Sequence, residues 1–134
     1  RRQRQMCIRD RGSTDALTSL VDVYPTLAEL CSLEVPGNQL DGTSVVPILN
    51  NPNLEGKKHI FIKKSNGFTL KTKDFSYTEF IKPQDNLTLS TMLYDHRTTK
   101  NENENIAHLK AYKKTVFELK LILHSKYHKN IVGF

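Results

Sequence analysis

The sequence predicts an α+β domain in which a small antiparallel sheet packs against a long C-terminal helix. Three short runs between His59 and Phe80 are rich in β-branched and aromatic residues, which predicts strands. From Ile106 to about Lys126, apolar residues recur at helical spacing and predict one amphipathic helix. Because the strand block precedes the helical block, the α+β class is favoured, and 134 residues suffice for one domain.

Upstream of the strands, the sequence predicts a short strand or extended segment to Val21, then a helix from about Tyr24 to Cys31. Pro25 suits the first turn of a helix, and Asp22 is placed to cap it. Residues 35–53 contain several Pro and Gly breakers and predict a loop with one short helix through Leu49, capped by Thr43 or Ser44.

Within the strand block, Lys73-Asp74 separates two alternating runs and predicts a hairpin, and residues 92–95 predict a last, short edge strand. Residues 82–91 predict a polar loop in which Asn86 begins an Asn-X-Thr sequon, a possible glycan acceptor. Asn105 is expected to cap the long helix, whose core-facing positions are then Leu109, Tyr112, Val116, Leu119 and Leu123.

The formal net charge of +6 is concentrated at the N-terminus. Residues 1–11, RRQRQMCIRDR, contribute +4, which leaves +2 for residues 12–134. Residues 6–11 resemble the translation of a transposon end used in sequencing libraries, so residues 1–12 are interpreted as an artefact. A disordered basic arm that binds phosphate is the alternative. Residues 13–134 are then the protein domain, with a near-neutral surface that argues against nucleic-acid binding.

Two cysteines give neither a disulfide framework nor a cysteine metal site, because Cys7 lies in the basic segment and leaves Cys31 alone. Cys31 is expected to be a small buried hydrophobic residue. No stretch of the sequence approaches the roughly 18 apolar residues that a membrane span requires.

Several motifs, in order along the chain, resemble the C-terminal region of type I sulfatases of the alkaline-phosphatase superfamily. They are LVDVYPTLAEL (20–30), VP (35–36) with LDGTS (40–44) and PIL (47–49), GFTLKT (67–72) with FSYTE (75–79), LYDH (93–96) and ENENIA (102–107). The LAEL and YTE pieces resemble the iduronate-2-sulfatase-like branch. The chain differs from that family at Thr99-Lys100, where an Asp-Pro is usual, and from that branch at residues 62–65.

The resemblance implies a sulfuric ester hydrolase that acts on sulfated carbohydrate outside the cytoplasm. Such enzymes use a formylglycine made in a C/S-x-P-S-R motif and a calcium ion, in covalent catalysis with electrostatic stabilisation. Neither cysteine begins that motif, so no catalytic residue is carried over. This chain would be the C-terminal subdomain, inactive alone, which packs on an N-terminal catalytic domain and lines part of the substrate pocket.

The resemblance places Lys63 and Lys64 in the pocket-lining segment, where two ammonium groups would bind a sulfated sugar. His59 could join them. The alternative is that both lysines are solvated at a strand end.

His124 and His128 share a helix face but lack a third ligand, so no metal site is predicted. Asp22 and Glu29 could be read as paired carboxylates, although a cap and a solvated Glu explain them better. Tyr94-Asp95 is expected to tie the last strand to the next loop.

Two further hypotheses stay open beside the sulfatase fragment. One is a free-standing basic binding module that uses residues 1–11 and the lysines of the last helix. The other is a non-catalytic structural domain derived from a sulfatase.

Overall fold

A computed structural model describes residues 13–35, 39–82, 87–98 and 101–131, with the side chains of residues 128–131 outside the description. The predicted basic segment, the Asn86 sequon acceptor and Thr99-Lys100 lie outside the described residues. The chain divides into two compact units between Lys58 and His59. None of the described helices is long and apolar enough to cross a lipid bilayer.

The first unit contains two short helices, α1 (Val23–Leu30) and α2 (Val46–Asn50). A 3₁₀ turn, Leu20–Asp22, precedes α1, so the predicted extended segment to Val21 is wrong at its end. The turn closes because the Asp22 N–H donates to the Ser19 carbonyl at 3.0 Å, while the Asp22 carboxylate accepts the Ser19 N–H at 2.8 Å. The predicted helix around Leu49 is confirmed as α2, but its N-cap is Val45 with no side-chain capping hydrogen bond, so the predicted cap by Thr43 or Ser44 is wrong.

Asp22 occupies the N-cap position of α1, but its side chain makes no capping hydrogen bond to that helix, so the predicted capping role is wrong. Its buried carboxylate instead joins three segments. It accepts hydrogen bonds from the Ser19 N–H, from the Thr43 N–H at 2.8 Å and from the Lys57 ammonium. Burial alone would raise the pKa of Asp22, but these hydrogen bonds hold it below its usual value. Gly42 fits beside this turn because a Cβ there would lie 1.9 Å from the Val21 carbonyl oxygen.

The second unit is a four-stranded antiparallel sheet covered on one face by a helix, which confirms the α+β class. Its strands follow one another in the order β1 (Ile60–Lys64), β2 (Gly67–Lys71), β3 (Phe75–Ile81) and β4 (Thr88–Asp95). The predicted hairpin is the β2–β3 pair. The last strand begins at Thr88, four residues earlier than predicted, because Thr88 pairs with Ile81 across an irregularity in the ladder.

The long helix α3 (Lys113–Ile131) follows a 3₁₀ turn, Lys110–Tyr112, so the predicted start at Ile106 is wrong. Asn105 does not cap it. Its side chain instead accepts the Leu93 N–H and donates to the Thr91 carbonyl, each at 3.0 Å. These bonds satisfy backbone groups on the outer edge of β4 that would otherwise be unpaired.

The core of this unit lies between the sheet and α3. Leu70, Tyr77 and Leu93 from three strands pack with Leu119 and Leu123 from the helix. Strand alternation places the three strand residues on one face, and the i, i+4 spacing places the two leucines on one stripe of the helix. Leu109, which was predicted to face the core, is instead exposed in the connection before α3.

Replacing Leu123 with Ala should lower the free energy of unfolding by about 2–5 kcal/mol, because it leaves a cavity in this core. The matched control is Leu121→Ala on the same helix, since Leu121 is 56% exposed and Leu123 only 1%. The control should change stability by less than about 1 kcal/mol. Urea unfolding followed by circular dichroism measures both, and equal losses would contradict this helix orientation.

Candidate functional site

The two lysines predicted to bind substrate end strand β1 and point to opposite faces of the sheet. Successive strand residues alternate in direction, and the Lys63 ammonium lies 5.4 Å from the ring centre of Phe68, on the face covered by α3. Lys64 pairs with Gly67 at the turn into β2 and belongs to the other face. Both lysines are exposed, but the strand does not direct them towards one common point.

An aromatic cluster made by Phe61, Phe68 and Tyr127 lies next to Lys63. Tyr127, on α3, meets Phe68 edge to face at 4.5 Å between ring centres and meets Phe61 at 6.1 Å. The ammonium of Lys126 lies 5.3 Å from the centre of the Phe61 ring. His59 is 6.3 Å from Phe61, ring to ring. The cluster therefore contacts one lysine from β1 and one lysine from α3.

Glu79 is the most unexpected residue of the second unit, because its carboxylate is fully buried. It accepts a hydrogen bond from the Tyr77 hydroxyl at 2.7 Å and lies 2.6 Å from Nε2 of His124. The Lys120 ammonium is 3.4 Å away. Burial would raise the pKa of Glu79, yet the hydrogen bonds from Tyr77 and His124 and the charge of Lys120 hold it below its usual value.

The same contacts act on Tyr77 in the opposite sense. Burial raises the pKa of Tyr77, and the neighbouring Glu79 carboxylate raises it further by accepting the phenolic proton in a hydrogen bond. Tyr77 therefore stays protonated at neutral pH. The pair has the character of a structural anchor, because a fully buried carboxylate is out of reach of a substrate.

Sequence reasoning did not single out Glu79, although its signal was available. Strand alternation from Phe75 through Tyr77 puts Glu79 on the core face. His124 was considered only as a metal ligand with His128, whose side chain lies outside the described residues. Its described partner is Glu79, and the described residues contain no group of three His, Cys, Asp or Glu that could hold a metal ion.

The acids named in the first unit do not form a pair. Asp22 is buried in its own network, whereas Glu29 is exposed on α1. Cys31, expected to be buried, is exposed at the end of that helix because the apolar side of α1 is itself half exposed.

Asp95 ties the last strand to the following loop, as was expected of Tyr94-Asp95. Both of its carboxylate oxygens accept hydrogen bonds from the Arg97 guanidinium, at 2.9 and 2.6 Å, and the Tyr112 hydroxyl is 3.2 Å away. The Arg97 hydrogen bonds lower the pKa of Asp95 to about 2. The guanidinium also lies 4.6 Å from the ring centre of Phe75, so this group is structural.

Comparison with known proteins gives matches among solved structures. No protein-family model and no curated protein sequence matches the chain. BT4656, solved in complex with its substrate D-glucosamine-2-N,6-O-disulfate, is 23% identical over 80% of this chain, with a TM-score of 0.63. A protein named as the sulfatase yidJ of Bacteroides fragilis is 20% identical over 87% of the chain, with a TM-score of 0.67.

The chain has the fold of the part of these sulfatase structures that it covers. The chain covers 23% of BT4656 and 26% of yidJ, so it spans about a quarter of the length of these structures. The phosphonate monoester hydrolase of Agrobacterium radiobacter matches as well, at 24% identity over 84% of the chain and 26% of that protein, with a TM-score of 0.59. The fold alone therefore does not distinguish sulfate esters from phosphonate esters.

Replacing Glu79 with Gln should lower the free energy of unfolding at neutral pH by about 1–3 kcal/mol, because the charge-assisted hydrogen bond with His124 and the ion pair with Lys120 are lost. Since the folded pKa of Glu79 lies below its usual value of 4.5, its contribution is present above that pH and disappears as the pH falls through the folded value. The difference between wild type and variant should therefore shrink in acid.

Urea unfolding at neutral pH and at about pH 3 measures this difference. The control is Glu104→Gln, because Glu104 is exposed. It should track the wild type at both pH values, and a Glu79→Gln deficit that stays constant in acid would contradict the assignment.

Proposed function

We propose that this chain is the C-terminal part of a sulfuric ester hydrolase that acts on sulfated carbohydrate. The observation that carries the proposal is the extent of the structural match. More than four-fifths of the chain superimposes on sulfatases such as yidJ, yet it covers only about a quarter of them. A segment with this relation to a larger enzyme contributes packing surface and part of a pocket, while the remaining three-quarters supplies the reaction.

The substrate class follows from two lines of support. The LAEL and YTE pieces resemble the iduronate-2-sulfatase-like branch, and BT4656 has a sulfated glucosamine as its substrate. A glycosaminoglycan or another sulfated polysaccharide is therefore the proposed substrate, in an extracytoplasmic compartment. Lys63 is the proposed contribution of this chain to sulfate binding. Lys64, the other lysine that the sequence predicted, lies on the opposite face of the sheet and is left out of the proposal.

The chemistry is assigned to the rest of the enzyme. A formylglycine and a calcium ion are expected there, because the formylglycine motif does not occur in this sequence. The chain by itself should be inactive. Residues 1–11 are proposed to be translated sequencing adapter and not part of the enzyme.

The proposed partner is the catalytic domain of the same protein, and α1 with its preceding turn is the proposed contact. Leu20 is 89% exposed, and Val23, Leu27 and Leu30 on the helix are each about half exposed. Exposed apolar side chains that are contiguous along a helix indicate a surface that another part of a protein covers. Because this chain corresponds to about a quarter of the length of the enzymes it matches, the catalytic domain is the proposed part that covers α1.

The test of the whole proposal is the DNA upstream of the codon for Gly12. A continuous reading frame that encodes C/S-x-P-S-R and acidic calcium ligands, with residues 1–11 absent, is the expected result. If residues 1–11 are encoded behind a start codon, the chain is an independent small protein, and a basic binding module replaces the proposal. An upstream frame without the motif would favour a non-catalytic structural domain.

Leu27→Ser tests the α1 contact in two proteins, the isolated chain and the full-length enzyme encoded by that frame. It should lower the melting temperature of the full-length enzyme, because about half a leucine side chain, or roughly 1 kcal/mol, is no longer buried against the catalytic domain. In the isolated chain the same change should have a smaller effect.

Glu29→Gln, on the same helix and also exposed, serves as the matched control and should alter neither protein. Differential scanning calorimetry measures the melting temperature of both variants in both proteins. A Leu27→Ser effect of equal size in both proteins would show that α1 gains no cover in the enzyme.

A further inference from the structure

Strand β1 and helix α3 each place a lysine on the same aromatic cluster. Lys63 lies over Phe68, and Lys126 lies over Phe61, at 5.4 and 5.3 Å from the ring centres. Tyr127 contacts both rings, so the two ammonium groups are held on one continuous apolar base. Both distances are within the range of about 6 Å in which a ring face attracts a cation.

This arrangement prepares the two ammonium groups for an anion. A lysine normally loses considerable rotamer freedom when it is fixed, and the ring contact supplies part of that ordering before any ligand arrives. Each ammonium has three donors, and the ring face occupies only one side of it. Because both side chains are exposed, the remaining donors point to solvent.

The electrostatic surroundings also favour an anion. The acid nearest along the ladder is Glu79, which pairs with Phe68 across β2 and β3. Its carboxylate is buried and is already held by His124 and Lys120. Its negative charge is therefore compensated within the core and does not cancel the positive charge of the lysines at the surface.

We propose that Lys63 and Lys126 form one binding site for a sulfated sugar on the helix-covered side of β1. The ammonium groups bind the sulfate oxygens, and the partly exposed rings of Phe61 and Tyr127 contact the C–H surface of the sugar. Lys64 takes no part, since it lies on the opposite face. The choice of a sulfated sugar rests on the proposed function, whereas the pairing of the two lysines rests on the contacts above.

The experiment uses the full 134-residue chain, labelled with ¹⁵N and titrated with D-glucosamine-2-N,6-O-disulfate. Lys63→Gln and Lys126→Gln should each weaken binding by about two- to fivefold, which is the effect of one solvent-accessible ion pair. The double variant should weaken it by roughly tenfold. Added salt should weaken wild-type binding, because exposed charges are screened.

Two controls carry the same change of charge. Lys64→Gln lies next to the site in sequence but on the other face, and Lys114→Gln removes an exposed lysine of α3 that pairs with Glu118. Both should bind as the wild type does. Unsulfated glucosamine should not bind.

Four results would overturn the inference. Absence of wild-type binding, or equal binding of unsulfated glucosamine, would remove the anion site. Loss of binding in Lys64→Gln with retention in Lys63→Gln and Lys126→Gln would move the site to the other face and leave the proposed function intact. Tighter binding of a single-stranded oligonucleotide with the same lysine dependence would replace the sugar with nucleic acid. The proposed function is tested separately, by sequencing the reading frame upstream of the codon for Gly12.

Discussion

The buried carboxylate of Glu79 constrains the second unit more strictly than any apolar contact does. A carboxylate removed from water costs several kcal/mol unless cations and hydrogen-bond donors surround it. Here those donors come from Tyr77 on its own strand and from His124 and Lys120 on α3. Apolar packing alone would tolerate a small slip of the helix, whereas these contacts fix both its rotation and its position along the sheet.

Buried acids play the same part elsewhere in the chain. Asp22 holds the turn before α1, the Thr43 backbone and Lys57 together. Asp95 joins the end of β4 to Arg97 and to Tyr112 before α3. Each of the three carboxylates accepts hydrogen bonds from segments far apart in sequence, so a small domain with few aromatic residues gains specific long-range contacts that its modest core cannot supply.

Sequence periodicity predicted the strands and the core stripe of α3 because alternation and helical spacing are local signals. It failed where tertiary partners decide the outcome. Asn105 has the sequence signature of a cap, yet its side chain bonds two backbone groups on the open edge of β4 instead. Thr88 joins β4 only because Ile81 is opposite, and no local pattern contains that information.

The sequence predicted one part of the candidate site and missed another, for the same reason. Family resemblance selected Lys63 and Lys64 because both fall in the pocket-lining segment, but a strand sends adjacent side chains to opposite faces. The structure places Lys63 on the same aromatic cluster as Lys126, more than sixty residues later. Likewise, sequence reasoning treats charged residues as solvated, which is correct for most of them but not for Glu79. Glu79 points into the core because it lies two residues after Tyr77 on the same strand.

The orientation of the charges has a consequence for function. Residues 12–134 carry a formal charge of only +2, which as an average gives little reason to expect an anionic ligand. This average charge does not describe the surface, because the negative charges of the buried acids are compensated internally. The side chains of Lys63 and Lys126, in contrast, are exposed. A chain of this kind can bind an anion without being strongly basic. It needs no nucleophile of its own to do so, and the fold, which the sulfatase structures share with a phosphonate monoester hydrolase, does not by itself distinguish sulfate esters from phosphonate esters.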